Sequence, residues 1–144
     1  MLTIDRLQPG DREAWERLFR AYIDFYKRTL PDDEYERAWQ RFQAGTEIHA
    51  FGAYDEGQLI GITHFLTHAH TNGADVCYLQ DLFTDPAARG RGVARALIEQ
   101  VASWARERGC GQLYWRTHES NATARALYDR VAENRGFIVY QRDP

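Results

Sequence analysis

The sequence predicts one α/β domain built on a mixed sheet, from three observations. Runs of period-two alternation and runs with a 3.6-residue apolar stripe interleave in the order β-α-α-β-β-β-α-β-α-β. A glycine-bearing turn joins two adjacent strand-like runs into an antiparallel hairpin, whereas the later strands are separated by helices and must pair through crossovers. No linker, internal repeat or low-complexity stretch divides residues 1–144, a length that can bury one sizeable core.

Thr3 to Leu7 alternates as a short strand, Pro9-Gly10 ends it, and Asp11 stands where a helix would be capped. Trp15, Leu18, Phe19, Tyr22 and Tyr26 then share one helical face until Leu30-Pro31-Asp32-Asp33 breaks it. A second helix carries Tyr35, Ala38, Trp39 and Phe42 and stops at Gly45. Residues 47–54 and 59–66 form the hairpin around Asp55-Glu56-Gly57-Gln58, and Val76–Phe83 is a third core strand closed by Asp85-Pro86. A helix with Ala94, Leu97, Ile98, Val101, Ala102 and Ala105 on one side ends at Gly109, and Leu113 to Thr117 is a fourth core strand. Ser120 or Asn121 can cap a last helix bearing Ala124, Leu127, Tyr128 and Val131, and Gly136–Tyr140 is expected to return as a final strand.

A net charge of −3 gives no reason to expect nucleic acid or an anionic membrane as partner, and suits a cationic small molecule better. Cys77 and Cys110 lack any CxxC spacing, so reduced, buried thiols are expected rather than a disulfide or zinc site. His64, His68 and His70 cluster in sequence without a fourth ligand pattern, and no metal is expected. The amino terminus has no apolar signal-peptide core, and a cytoplasmic location is expected.

Chemistry concentrates between the third core strand and its helix, where Arg89-Gly90-Arg91-Gly92-Val93-Ala94-Arg95 sets two glycines and three arginines at a helix start. The first amides of a helix have no intrahelical partner and lie at the positive end of its dipole, so a phosphate can accept several together. Glycine lets the backbone approach phosphate oxygens without Cβ interference. The spacing is neither the Gly-x-Gly-x-x-Gly of dinucleotide sites nor a P-loop.

Arg89-x-x-Gly92-x-Ala94 after a strand ending in Asp-Pro resembles the acetyl-CoA signature of the GNAT N-acetyltransferases. Tyr78-Leu79-Gln80-Asp81-Leu82-Phe83-Thr84 is similar to the strand before that signature in diamine acetyltransferases and in the small yeast histone and D-amino-acid acetyltransferases, and Asn121-x-x-Ala124-x-x-Leu127-Tyr128 with Gly136-Phe137 matches the second half-motif. The resemblance implies a GNAT fold with central parallel strands splayed at a bulge, and an N-acetyltransferase that moves acetyl from acetyl-CoA to a primary amine. It implies that pantetheine lies along Leu82, Phe83 and Thr84, bonding the backbones of Leu82 and Thr84. It also implies that Arg89, Gly90, Arg91, Gly92, Val93, Ala94 and Arg95 hold the pyrophosphate, with Asn121 and Ala124 on the far side of the cofactor.

By the same resemblance Tyr128 is the general acid for the leaving thiolate, and Tyr22, Tyr26 and Tyr35 stand where relatives build the acceptor pocket. Diamine acetyltransferases carry a glutamate where this chain has Gln80, and an amide cannot take a proton. Asp81 is the remaining carboxylate that could bind an ammonium or order a relay water, with His118 and Glu119 as other cleft candidates. Loss of that glutamate leaves an acyl-CoA-binding module of weak catalytic power as the competing reading. A homodimer that completes sheet or pocket across chains is compatible with the pattern.

Overall fold

The computed structural model describes residues 1–144 and contains β1 (Leu2–Arg6), α1 (Arg12–Phe25), α2 (Asp32–Ala44), β2 (His49–Asp55), β3 (Gln58–His68), β4 (Val76–Thr84), α3 (Val93–Glu107), β5 (Gln112–Tyr114) and α4 (Ala122–Val131). Short 3-10 turns at Pro9–Asp11 and Pro86–Ala88 lead into α1 and towards α3. The sheet runs β1-β2-β3-β4-β5, antiparallel through β4 and parallel between β4 and β5. The expected hairpin turn forms with both central residues in the left-handed region, Glu56 at φ 50° and Gly57 at φ 79°.

Apolar side chains on the two sheet faces build two cores. Trp15, Leu18, Phe19 and Ile23 of α1 join Tyr35, Trp39 and Phe42 of α2 over one face, with Ile62 and Phe83 beneath. Val93, Leu97, Ile98, Val101 and Ala105 of α3 cover the other, over Phe51, Ile60, Phe65, Cys77 and Leu79. Gly61 admits α3 to close range, since a Cβ there would lie 2.7 Å from Val93 Cγ1.

Two expectations about the carboxyl-terminal half need correction. The fourth core strand is shorter than the predicted Leu113 to Thr117, because β5 leaves β4 after Tyr114. The expected strand at Gly136–Tyr140 does not form, and Phe137 and Tyr140 are 91% and 88% exposed. The sheet ends at β5, so this apolar run has no ladder within its own chain.

Candidate active site

Two irregularities shape the middle of the sheet. In the β3–β4 register His64 faces Asp81 and Phe65 faces Leu79, so Gln80 is the extra residue of a β-bulge. A one-residue slip in the pleat moves every later side chain to the opposite face. Leu79 accordingly belongs to the α3 side, whereas Asp81 meets His64 under α1 and α2. On its other edge β4 pairs β5 only from Val76 to Tyr78, and the two parallel strands part beyond that point.

The parting leaves one side of β4 without a neighbouring strand. Asp85 donates its amide to Ile60 across β3 at 2.8 Å. Strand alternation then turns the amides of Leu82 and Thr84 towards the open edge and that of Phe83 towards β3. The Phe83 side chain itself is buried in the helix-side core.

Past β4 the chain reaches the glycine-rich turn. Gly90 and Gly92 have φ of 81° and 77°, and a Cβ at either would meet nothing within 4 Å. Gly92 is the N-cap of α3, its carbonyl accepting the Ala96 amide at 3.0 Å, and helix geometry leaves the amides of Val93, Ala94 and Arg95 without an i−4 carbonyl. Arg95 is exposed, whereas Val93 is buried in the α3 core. Arg89 lies 5.8 Å from the Phe83 ring, and Arg91 pairs with Asp55 at 3.0 Å, tying this turn to the β2–β3 hairpin.

Across the parted strands stand the aromatics of α1 and α4. Tyr22 and Tyr26 meet edge-on at 5.0 Å, Tyr26 lies 5.4 Å from the His118 ring, and Trp115 meets Tyr128 edge-on. A cavity of about 460 Å³ opens between Phe25, Tyr26 and Lys27 on one side and His118, Ser120 and Asn121 on the other. Burial pushes the Tyr128 hydroxyl up to about 12, with the neighbouring Tyr26 adding to it. Burial also raises Tyr22, and the Asp81 carboxylate raises it further. Burial raises Tyr26, against which hydrogen bonding by Asn121 acts. Tyr22, Tyr26, Tyr128 and Asp81 are thus close enough to feel one another's charge.

The remaining candidates divide. Asn121 caps α4, its Oδ1 accepting the Ala124 amide at 3.4 Å, so these two residues serve the helix start at the cavity rim. Tyr35 is not a pocket residue, because it is buried among α1 and α2 with the Arg20 guanidinium 4.1 Å over its ring. Gln80 and Glu119 are exposed. The three histidines separate: His68 reaches the Tyr114 hydroxyl, His70 accepts the Asn72 amide, and His64 is buried between Trp15 and Asp81. Cys77 is buried as expected, whereas Cys110 is only partly so. Sequence reasoning passed over the Trp15–His64–Asp81 contact, whose one visible signal was a lone ionisable residue inside the apolar run Leu59–Phe65. No helix is long and apolar enough to cross a membrane.

The profile of the acetyltransferase (GNAT) family matches residues 15–132. The D-amino-acid N-acetyltransferase HPA3 of Saccharomyces cerevisiae is 33% identical over 147 aligned positions, covering 99% of this chain and 91% of the yeast protein. An aminoglycoside N(6')-acetyltransferase type 1 of Salmonella typhimurium is 27% identical, over 78% of this chain and 81% of that enzyme. In structure, AAC(6')-Iy in complex with a bisubstrate analogue superposes with a TM-score of 0.87 at 23% identity, covering 100% of this chain and 99% of the other. With the family profile spanning most of its length and a full-length relative at one-third identity, the chain belongs to the acetyltransferase (GNAT) family.

Proposed function

We propose that this acetyltransferase carries the acetyl group of acetyl-CoA to a primary amine held between α1 and the parted strands, in a ternary complex and without a covalent enzyme intermediate. The observation that carries the reading is the open edge of β4 beyond the Gln80 bulge, where unpaired strand amides, Asp81 and three tyrosines converge.

The residues present fit acetyl-CoA. Leu82 and Thr84 offer strand amides to an extended pantetheine arm, as a further strand would require. Gly90 and Gly92 leave open space beside the first amides of α3, where a pyrophosphate is favoured. Arg89 and Arg95 add exposed positive charge, while Arg91 must exchange Asp55 for phosphate to do the same. The cofactor supplies an activated acetyl group as a thioester.

Asp81 receives the incoming ammonium and takes its proton, directly or through water, so that a neutral nitrogen can attack the thioester carbonyl. Tyr128 donates its phenolic proton to the sulfur as the C–S bond breaks and the C–N bond stays formed. The phenol regains a proton from solvent or from the amine side, so protons balance over the cycle. Free amino acids, polyamines and lysine-type side chains are the acceptor classes that present such an ammonium, and relatives named for D-amino acids and aminoglycosides support this range.

The exposed run Phe137–Tyr140 and the short outer strand β5 support a homodimer in which this segment of one copy seats against the other. The test of function is a panel of primary amines with acetyl-CoA, read by release of free thiol. Turnover of at least one amine supports the transferase. CoA binding with no turnover on any acceptor class would instead favour the acyl-CoA-binding module.

A further inference from the structure

Between the two helices and β4 lies a buried ionisable side chain that the proposed reaction leaves unused. His64 is 1% exposed, its ring stacked on Phe42 at 4.3 Å and met edge-on by Phe19 at 4.8 Å. Trp15, itself fully buried, donates its indole Nε1–H to His64 Nε2 at 2.9 Å, and His64 Nδ1 lies 2.8 Å from Asp81 Oδ2.

The donor inventory assigns the proton. An indole N–H can only donate, so Nε2 must present its lone pair, and the neutral ring carries its hydrogen on Nδ1, which donates to Asp81. Aromatic rings on the faces and a partner at each nitrogen hold the imidazole in one orientation. Thr63 adds a second restraint, its hydroxyl donating to the Asp81 carbonyl at 2.8 Å. The Asp81 side chain keeps 17% exposure and lies within hydrogen-bonding reach of the Tyr22 hydroxyl, so the oxygen not held by His64 faces the cleft beside Tyr22.

We infer that His64 is a positioning residue for the acceptor: anchored by Trp15, it pins one carboxylate oxygen of Asp81 and aims the other at the amine. The polarity runs opposite to that of a histidine base. A second proton on Nε2 would set two N–H groups against each other, so the ring cannot carry a proton inward, and what Asp81 takes from the ammonium leaves by the cleft. The inference rests on the proposed role of Asp81 and extends it to two residues that touch neither substrate.

Amine kinetics of His64→Leu, His64→Gln and Trp15→Phe, with long-range ¹H–¹⁵N NMR of the imidazole, test it. The wild-type ring should show a pyridine-like Nε2 and a protonated Nδ1. His64→Leu should raise the amine KM about 10- to 100-fold, the range for losing a hydrogen bond to a charged group, with CoA affinity unchanged. His64→Gln, whose amide can accept from Trp15 and donate to Asp81, should recover most of that loss. Where His64→Leu does not fold, Trp15→Phe carries the test, since removing one N–H should mix the tautomers and raise the amine KM alone. A wild-type ring protonated on Nε2, or folded His64→Leu and Trp15→Phe enzymes with wild-type amine KM, would overturn the inference while leaving the transferase intact. A wild-type protein that acetylates no amine defeats the transferase reading itself, and the inference with it.

Discussion

The Trp115 indole meets the Tyr128 ring edge-on, with centroids 5.4 Å apart and planes at 69°. This contact holds the phenol by its carbon frame and leaves the hydroxyl free for chemistry. Tyr128→Phe should therefore keep melting temperature and CoA affinity while kcat falls ~10²–10⁴-fold, the usual worth of general-acid help. Retention of kcat within about twofold would rule out the acid role.

The pH dependence of that proton follows from its burial. The Tyr128 hydroxyl, pushed up to about 12, stays protonated from pH 6 to 10, so an alkaline fall in rate within that window belongs to another group. Its stabilising effect has the matching sign: the raised folded value leaves stability intact below the free-tyrosine value near 10 and removes it as pH climbs towards 12. Alkaline unfolding curves of wild type and Tyr128→Phe, compared between those limits, measure it.

Gly92→Val should weaken CoA binding at least about tenfold by calorimetry, because a β-branched side chain would stand where phosphate oxygens must approach. The φ of 77° adds about 1–2 kcal/mol of backbone strain, visible as a lower melting temperature. Since the Cβ meets no atom of the protein, Gly92→Ala should share the strain and lose less affinity. Equal CoA affinity in all three proteins would move the phosphate elsewhere.

The two thiols should react at separate rates. Burial pushes the Cys77 thiol up to about 12, so at pH 8 only about one molecule in 10⁴ carries the thiolate, whereas Cys110 is partly accessible. Titration of the folded protein with a thiol reagent should modify Cys110 first and Cys77 only on unfolding. Equal rates would mean that the α3-side core opens readily.

Sedimentation should give a dimer, and Phe137→Ser with Tyr140→Ser should shift it towards monomer without loss of the α1 and α2 aromatic core. A monomer for the unaltered chain at tens of micromolar would remove the proposed partner.

Much of this architecture was legible because its signals are local. Gly45 as a left-handed helix end, the hairpin at Glu56-Gly57 and the aromatic stripe from Trp15 to Phe19 each depend on residues within a turn of one another. The glycine-rich approach to α3 was legible for the same reason, and Gly92 is its cap. A bulge was expected from the family resemblance, but its position at Gln80 was not legible, because which of two neighbouring residues a strand leaves unpaired is decided by its partner across the ladder. The contact of Asp81 with His64, which depends on that register, stayed hidden with it. Gly136–Tyr140 is an apolar run rich in strand-favouring residues, yet such a composition cannot supply the neighbour that a ladder needs.

Three residue pairs are all that join β5 to β4. A cofactor arm seated in the gap would act as a keystone, bridging β4 and the chain that follows β5, which otherwise meet along one short seam. The folded state would then draw stability from its own substrate by mass action, about 2.7 kcal/mol when acetyl-CoA stands at a hundred times its dissociation constant. Hydrogen exchange at the Leu82 and Thr84 amides would be fast in the empty enzyme and slow in the loaded one. Turnover, which repeatedly vacates the gap, would make the working enzyme oscillate between a stiff and a looser body, so that starvation for acyl donor would soften this protein before it silenced it.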